Sequence, residues 1–152
     1  MGRYARETSV SSDRTLAEIG KTVAKYGATD FMFMTGRDKA AVVFIMRKRR
    51  IRFILPLPDP TTEEFVKNGK GRFRKPEIAA AAWEQACRSS WRSLLLSIKA
   101  KLETVESGIA QFDDEFLAYI DLPGGQTIGQ AMAPQLDYIY KTGNVPALEY
   151  KG

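Results

Sequence analysis

The chain has 152 residues and a formal net charge of +5, and its 44% hydrophobic and 27% charged residues are typical of one globular domain with a buried core. It has no histidine and one cysteine, Cys87, which excludes imidazole bases, Ser-His-Asp and Cys-His nucleophile systems, thiolate metal sites and intrachain disulfides. No apolar run is long enough for a membrane span or a signal peptide, so we expect a cytoplasmic protein that does not bind membranes.

Charge is distributed unevenly along the chain. Residues 1–102 carry a net charge of +11, and residues 103–152 carry −6. A strongly basic segment favours contact with phosphate, and hence nucleic acid as a partner. The alternative is that the two segments neutralise each other, within one molecule or between neighbouring copies.

The first predicted elements are a short arm and a helix. Residues 1–10 are polar and lack periodicity, which indicates a mobile arm or an edge segment. A helix is predicted from Ser11 or Ser12, which are good N-caps, to Gly27, a natural C-cap. Its apolar residues recur at helical spacing.

Three antiparallel strands are predicted next, over residues 29–36, 39–46 and 50–57, because these segments are rich in β-branched and aromatic residues. A tight turn at residues 47–48 would divide the third strand between two faces, with Ile51, Phe53 and Leu55 on one face and Arg50, Arg52 and Ile54 on the other.

A basic loop and a long amphipathic helix follow. The loop spans residues 59–75, and loops of this length in compact domains are usually functional or disordered. The helix is predicted from Pro76 to about Gly108. Its apolar stripe consists of Trp83, Cys87, Trp91, Leu94, Ile98, Leu102 and Val105. Its opposite face is basic, either solvated or paired with acids of the tail, and consists of Arg88, Arg92 and Lys99.

Residues 109–152 are predicted to be an acidic extension of the same domain, with helical or hairpin structure. Its last helix, capped by Thr127 and kinked at Pro134, has an apolar face made of Ile128, Met132, Leu136, Ile139 and Tyr140. The expected fold is therefore α+β: an α-β-β-β-α core over residues 11–108, built from an N-terminal helix, a three-stranded antiparallel meander and a long amphipathic helix, followed by a small C-terminal helical unit.

Ten residues are candidates for contacting nucleic acid, because cations neutralise phosphates and an aromatic ring between them can stack on a base. They are Arg47, Lys48, Arg49, Arg50 and Arg52 on the hairpin, and Lys70, Arg72, Phe73, Arg74 and Lys75 on the basic loop. The alternative for the hairpin residues is a solvated turn that discourages pairing between sheet edges.

The order of meander, basic loop and long helix resembles the single-strand annealing fold of the Rad52 and Erf type. That resemblance implies single-stranded DNA binding in recombination or replication, by a homo-oligomer with a basic groove. The segment "GKGRFRKPEIAAAA" (69–82) also resembles the entry into the last helix of double-stranded RNA-binding domains, although the helix here is much longer.

Four segments, "ETSVSSDRTLAEI", "RRIRFILPLPD", "AAWEQACRSSWRSLLLSIKAKLE" and "APQLDYIY", resemble recurrent segments of small uncharacterised proteins from tailed bacteriophages. The resemblance implies a location in the cytoplasm of an infected bacterial host. The leading hypothesis is a phage protein that binds single-stranded DNA. The alternative is an inhibitor or adaptor that binds a host protein through its apolar sheet face and long helix.

A third hypothesis is a metal-dependent enzyme. Asp113, Asp114 and Glu115 are the only cluster of carboxylates, and carboxylates are ligands for Mg²⁺. Consecutive acids also occur at helix N-termini for dipole reasons, so no metal site, cofactor or catalytic residue is assigned.

Overall fold

A computed structural model describes the backbone of residues 3–146 and the side chains of residues 12–146. The predicted α+β fold is confirmed. In chain order the elements are α1 (Arg3–Lys25), β1 (Asp30–Thr35), β2 (Lys39–Met46), β3 (Arg49–Pro56), α2 (Glu63–Val66), α3 (Pro76–Glu106), α4 (Phe112–Glu115), a 3₁₀ turn (Leu117–Tyr119) and α5 (Ile128–Thr142).

The first helix begins earlier than predicted. It starts at Arg3 instead of Ser11 or Ser12, so residues 3–10 are helical where an arm was expected. These residues include good helix formers but no apolar repeat, and a search for periodicity therefore misses them. The helix ends at the predicted position, where Gly27 has a φ of +108°. Met1 and Gly2 of the predicted arm lie outside the described residues.

The sheet is an antiparallel meander with the order β1-β2-β3. Each strand agrees with its predicted bounds to within one residue, and β2 is the central strand. The face that carries Val42, Phe44, Ile51 and Phe53 is buried in the core, which confirms the predicted alternation of β3. The opposite face carries Arg50, Arg52 and Ile54, and we call it the outer face.

The turn between β2 and β3 has an unusual backbone conformation. Arg47 and Lys48 are the two residues between the paired Met46 and Arg49, and their φ angles are +50° and +63°. Positive φ at both positions matches the twist of a two-residue hairpin, but it costs a residue with a Cβ about 1–2 kcal/mol. The sequence places two long cations where Asn-Gly would be favoured.

Replacing Lys48 with glycine is therefore expected to stabilise the protein. Glycine adopts positive φ without steric cost, and after its larger unfolded-state entropy is subtracted the expected gain is about 0.5–1 kcal/mol in the free energy of unfolding. Lys39→Gly, in β2, is the matched control and should destabilise by a similar amount. Urea unfolding measures the stability of both variants. If Lys48→Gly were less stable than the original chain, the positive φ of Lys48 would not be a source of strain.

Helices α1 and α3 cover the core face of the sheet. The predicted stripe of α3 is buried from Cys87 to Leu102, whereas Trp83 is only half-buried and its Nε1 donates a 2.6 Å hydrogen bond to the carbonyl of Pro58. On the basic face, Lys99 pairs with Glu18 of α1 at 2.8 Å, so its partner is not an acid of the tail.

The C-terminal unit, residues 109–146, contributes to the same core. Phe112, Phe116 and Ile120 belong to the cluster formed by α1, α3 and the sheet. Phe116 is fully buried, and its ring lies edge-on to Phe44 and Phe53, with centroids 6.4 Å apart in each case. Because these side chains are buried there, the C-terminal unit shares one hydrophobic core with the α-β-β-β-α elements.

The same unit covers one edge of the sheet and then projects outward as α5. Ile120 bridges to Ile51 of β3, and the Asp121 N–H donates a 2.8 Å hydrogen bond to the carbonyl of Arg50. The predicted cap of α5 is confirmed, since Thr127 and Gln130 form a capping box. The predicted apolar face of α5 contains no buried residue, and Tyr140 is 87% exposed. Residues 147–152 lie outside the described residues.

Candidate nucleic-acid interface

The hairpin cations lie at one end of the sheet, and the C-terminal unit contacts most of them. They are Arg47, Lys48, Arg49, Arg50 and Arg52. The Arg49 guanidinium donates two 3.1 Å hydrogen bonds to the carboxylate of Asp113. Both side chains are about half exposed. The Arg47 guanidinium lies 5.4 Å from the centroid of the Phe112 ring. Lys48 is exposed and forms no ion pair with the residues that the structure describes.

Asp121 holds two of these arginines on the outer face, and we call this group the Asp121 clamp. Its Oδ2 lies 2.9 Å from Arg50 Nε, and its Oδ1 lies 2.9 Å from Arg52 Nη2. Oδ1 accepts no well-aligned hydrogen bond, so its contact with the Arg52 guanidinium is an ion pair without a hydrogen bond. Arg52 Nη2 also donates a hydrogen bond to the carbonyl of Gly125. The Asp121 side chain is only 11% exposed, so water screens this contact less than the Arg49–Asp113 pair.

Residues 63–66 of the predicted loop form α2. From here on the name basic loop refers to residues 67–75, which form a compact hydrogen-bonded hairpin. The Asn68 side-chain oxygen accepts hydrogen bonds from the N–H groups of Lys70 and Arg72, and the Asn68 N–H donates to the carbonyl of Arg72 at 2.8 Å. Gly71 has a φ of +78°, a conformation that favours glycine. Lys67 and Phe73 form a β-bridge across the turn. The loop therefore presents its side chains from an ordered backbone.

Most cations of the basic loop have no carboxylate partner among the residues that the structure describes. Phe73 is 77% exposed, and the Lys67 ammonium lies 5.2 Å from the centroid of its ring. Lys67 also pairs with Glu63 at 3.0 Å. The other cations form no ion pair with a described residue: Lys70, Arg72, Arg74 and Lys75. An exposed aromatic ring thus lies among four cations that lack carboxylate partners in that part of the chain.

The two predicted sets of cations lie far apart. The basic loop directly precedes Pro76, the first residue of α3. The hairpin contacts α4, and Glu115 of α4 pairs with Lys101 at 3.5 Å, near the other end of α3. A rise of 1.5 Å per residue from Pro76 to Lys101 gives about 37 Å along the helix axis. The fold thus brings each set together locally but does not join them in one site.

The structure also shows which side chains make up an exposed apolar face of the sheet, the kind of surface that the protein-binding hypothesis requires. On the outer face, Met32, Met34 and Ile54 are 48%, 67% and 42% exposed, beside a shallow cavity of about 300 Å³. Phe33 is 53% exposed on the other side of β1. An alternating pattern indicates a strand but does not indicate whether its neighbours cover it.

The carboxylate cluster is largely paired with cations. Asp113 binds Arg49 and Glu115 binds Lys101, while Asp114 is exposed. Among the described residues, no group of three or more side chains is arranged to hold a metal ion. Cys87 is buried, and burial, with a smaller effect of Glu84, raises the pKa of its thiol.

Comparison of the chain with models of protein families, with curated proteins and with solved structures found no match. The resemblances to phage proteins and to single-strand annealing proteins therefore stay predictions. In the described part of the chain, no helix combines the length and apolarity needed to cross a bilayer.

Proposed function

We propose that the protein binds single-stranded nucleic acid through the basic loop. The observation that carries this proposal is the exposed ring of Phe73, between Arg72 and Arg74. A ring that is this exposed can stack on a flat partner, and the burial of its apolar surface there would be favourable. Nucleic-acid bases supply flat partners, and cations on either side can neutralise the neighbouring phosphates.

The ordered backbone of the loop supports the same proposal. Because Asn68 and Gly71 already fix the turn, little conformational entropy would be lost when a strand binds. The loop also leads into the N-terminus of α3, where the helix dipole favours an anion. The proposed contacts are Phe73 with a base, and Lys70, Arg72, Arg74 and Lys75 with phosphates.

The hairpin cations have a smaller role in this proposal. The Arg49–Asp113 pair is exposed, and exposed pairs contribute about 0–1 kcal/mol, so a phosphate could replace Asp113. Arg50 and Arg52 instead hold the C-terminal unit through the Asp121 clamp. A strand that reached both the loop and Lys48 would have to extend along α3. In a phage, such binding would serve recombination or replication in the cytoplasm of the infected host.

The dependence of binding on salt concentration distinguishes phosphate contacts from base stacking. For a labelled single strand followed by fluorescence anisotropy, Arg72→Ala with Arg74→Ala should lower the slope of log affinity against log salt by about 1.4, at roughly 0.7 per phosphate contact. Phe73→Ala should leave that slope unchanged and weaken binding about five- to 150-fold at every salt concentration, which is the contribution of one stacked base.

Lys21→Ala with Lys25→Ala is the matched control, because it removes the same charge from exposed positions on α1. It should change the affinity much less than the loop variant. Competition with duplex DNA and duplex RNA tests the preference for single strands. Equal effects of the two double variants would show that only net charge matters, and no binding at about 50 mM salt would refute the proposal.

A second candidate is a protein-binding inhibitor or adaptor that acts on a host factor. The observation that favours it is the apolar outer face, where Met32, Met34 and Ile54 are exposed. Exposed apolar clusters of this kind often mark protein interfaces. Binding of nucleic acid that depends on Phe73 would favour the first candidate.

A further inference from the structure

The two edges of the sheet differ in protection. Ile120 and Asp121 cover part of the β3 edge. On the β1 side, no backbone group of a residue outside β2 bonds to Asp30–Thr35 in the described part of the chain. Within this strand there is no proline or lysine, and Met32, Phe33 and Met34 are all exposed. Natural proteins normally protect such an edge, so an unprotected apolar strand points to a partner.

The register of the sheet identifies the groups that point outward. Beside the β1–β2 turn, the Gly36 N–H donates a 2.8 Å hydrogen bond to the carbonyl of Lys39. Bonded and non-bonded pairs alternate in an antiparallel ladder, so Met34 and Met32 are bonded to β2. The N–H and C=O groups of the residues between them, Phe31, Phe33 and Thr35, therefore face away from β2.

We infer that β1 pairs in an antiparallel manner with β1 of a second copy, about a two-fold axis at Phe33. In this register Phe33 faces Phe33 of the second copy, and Phe31 faces Thr35. Each of these residues directs its backbone groups outward, so the pairing satisfies the whole open edge. The product is a continuous six-stranded sheet, and the inference is independent of the proposed function.

Side-chain chemistry fits a second copy in this register. On the outer face, Met32 of each copy faces Met34 of the other, which creates one cluster of four methionines from side chains that are 48% and 67% exposed. At each end, Asp30 faces Gly36 of the second copy and lies beside its Arg37. Neither Asp30 nor Arg37 forms an ion pair within the described part of its own chain. Opposite charges thus flank an apolar centre on both sides of the axis.

Because residue 33 faces itself across the axis, charge substitutions there give a specific test. Phe33→Lys and Phe33→Glu place like charges opposite each other, so each variant alone should dimerise roughly tenfold or more weakly than the original chain. An equimolar mixture places opposite charges together and should recover dimer. Leu96→Lys, at a 59% exposed leucine on α3, is the control and should leave dimerisation unchanged. Analytical ultracentrifugation over a dilution series measures the original chain, the two Phe33 variants, their mixture and the control.

Amide hydrogen exchange locates the contact. The amides of Phe31, Phe33 and Thr35 should exchange slowly only at concentrations where the dimer forms, whereas those of Met32 and Met34 should be protected at all concentrations. A chain that stays monomeric up to about 0.1 mM would overturn the inference and leave the edge for a strand of another protein. A dimer that Phe33→Lys does not weaken would also overturn it.

Discussion

Replacing Phe116 with alanine is expected to lower the free energy of unfolding by about 3–5 kcal/mol. The Phe116 ring is fully buried, contacts Phe44 and Phe53 edge-on, and stacks on Phe112 with centroids 4.8 Å apart. Its removal leaves a cavity between the sheet and the C-terminal unit. The surrounding rings come from separate elements, so they cannot all move to fill that cavity.

Leu117→Ala is the matched control for this experiment. Leu117 is the next residue and is 48% exposed, so its replacement should cost about 1 kcal/mol or less. Urea unfolding followed by tryptophan fluorescence measures both variants, and Trp91 is buried in the same core. If Phe116→Ala had the stability of Leu117→Ala, the C-terminal unit would not belong to the cooperative core.

Replacing Asp121 with alanine is expected to cost about 2–3 kcal/mol in the free energy of unfolding. Breaking a buried ion pair costs about 3–5 kcal/mol because a charge is left without a partner. Arg50 and Arg52 are 54% and 22% exposed, so water recovers part of that loss. The Asp121 N–H···O bond to Arg50 is a backbone contact, which alanine can still make.

Asp113→Ala provides the control for the Asp121 clamp, because both aspartates pair with arginines of the same hairpin. The Arg49–Asp113 pair is 46% and 53% exposed, so its loss should cost no more than about 1 kcal/mol. Denaturant unfolding compares the two variants. Equal losses would mean that burial of Asp121 does not determine its contribution.

Local patterns were sufficient to predict most of the fold. The strands could be predicted because β-branched and aromatic runs alternate between two faces and end at Arg47–Lys48 and at Pro56. The bounds of α3 follow from its apolar stripe and from Pro76. The start of α1 could not be predicted in this way, because residues 3–10 carry no apolar repeat.

The candidate site could be predicted only as a set of charges. Sequence shows that Arg49, Arg50 and Arg52 are cationic but does not show that Asp113 and Asp121, more than 60 positions later, neutralise them. Such pairs depend on how the chain returns to the β3 edge. How far the apolar side chains of β1 are exposed could not be predicted for a related reason, since it depends on which elements pack against the strand.

The covered β3 edge also limits how far the sheet can extend. Strand pairing between copies propagates into a fibre when both edges of a sheet are open, because each added copy presents a new edge. Here Ile120 and Asp121 occupy the β3 edge at Arg50 and Ile51. A two-fold pair at β1 would consume the open edge, and a third copy would meet only the partly covered β3 edge. The C-terminal unit would then limit the growth of the sheet and favour an assembly of two copies.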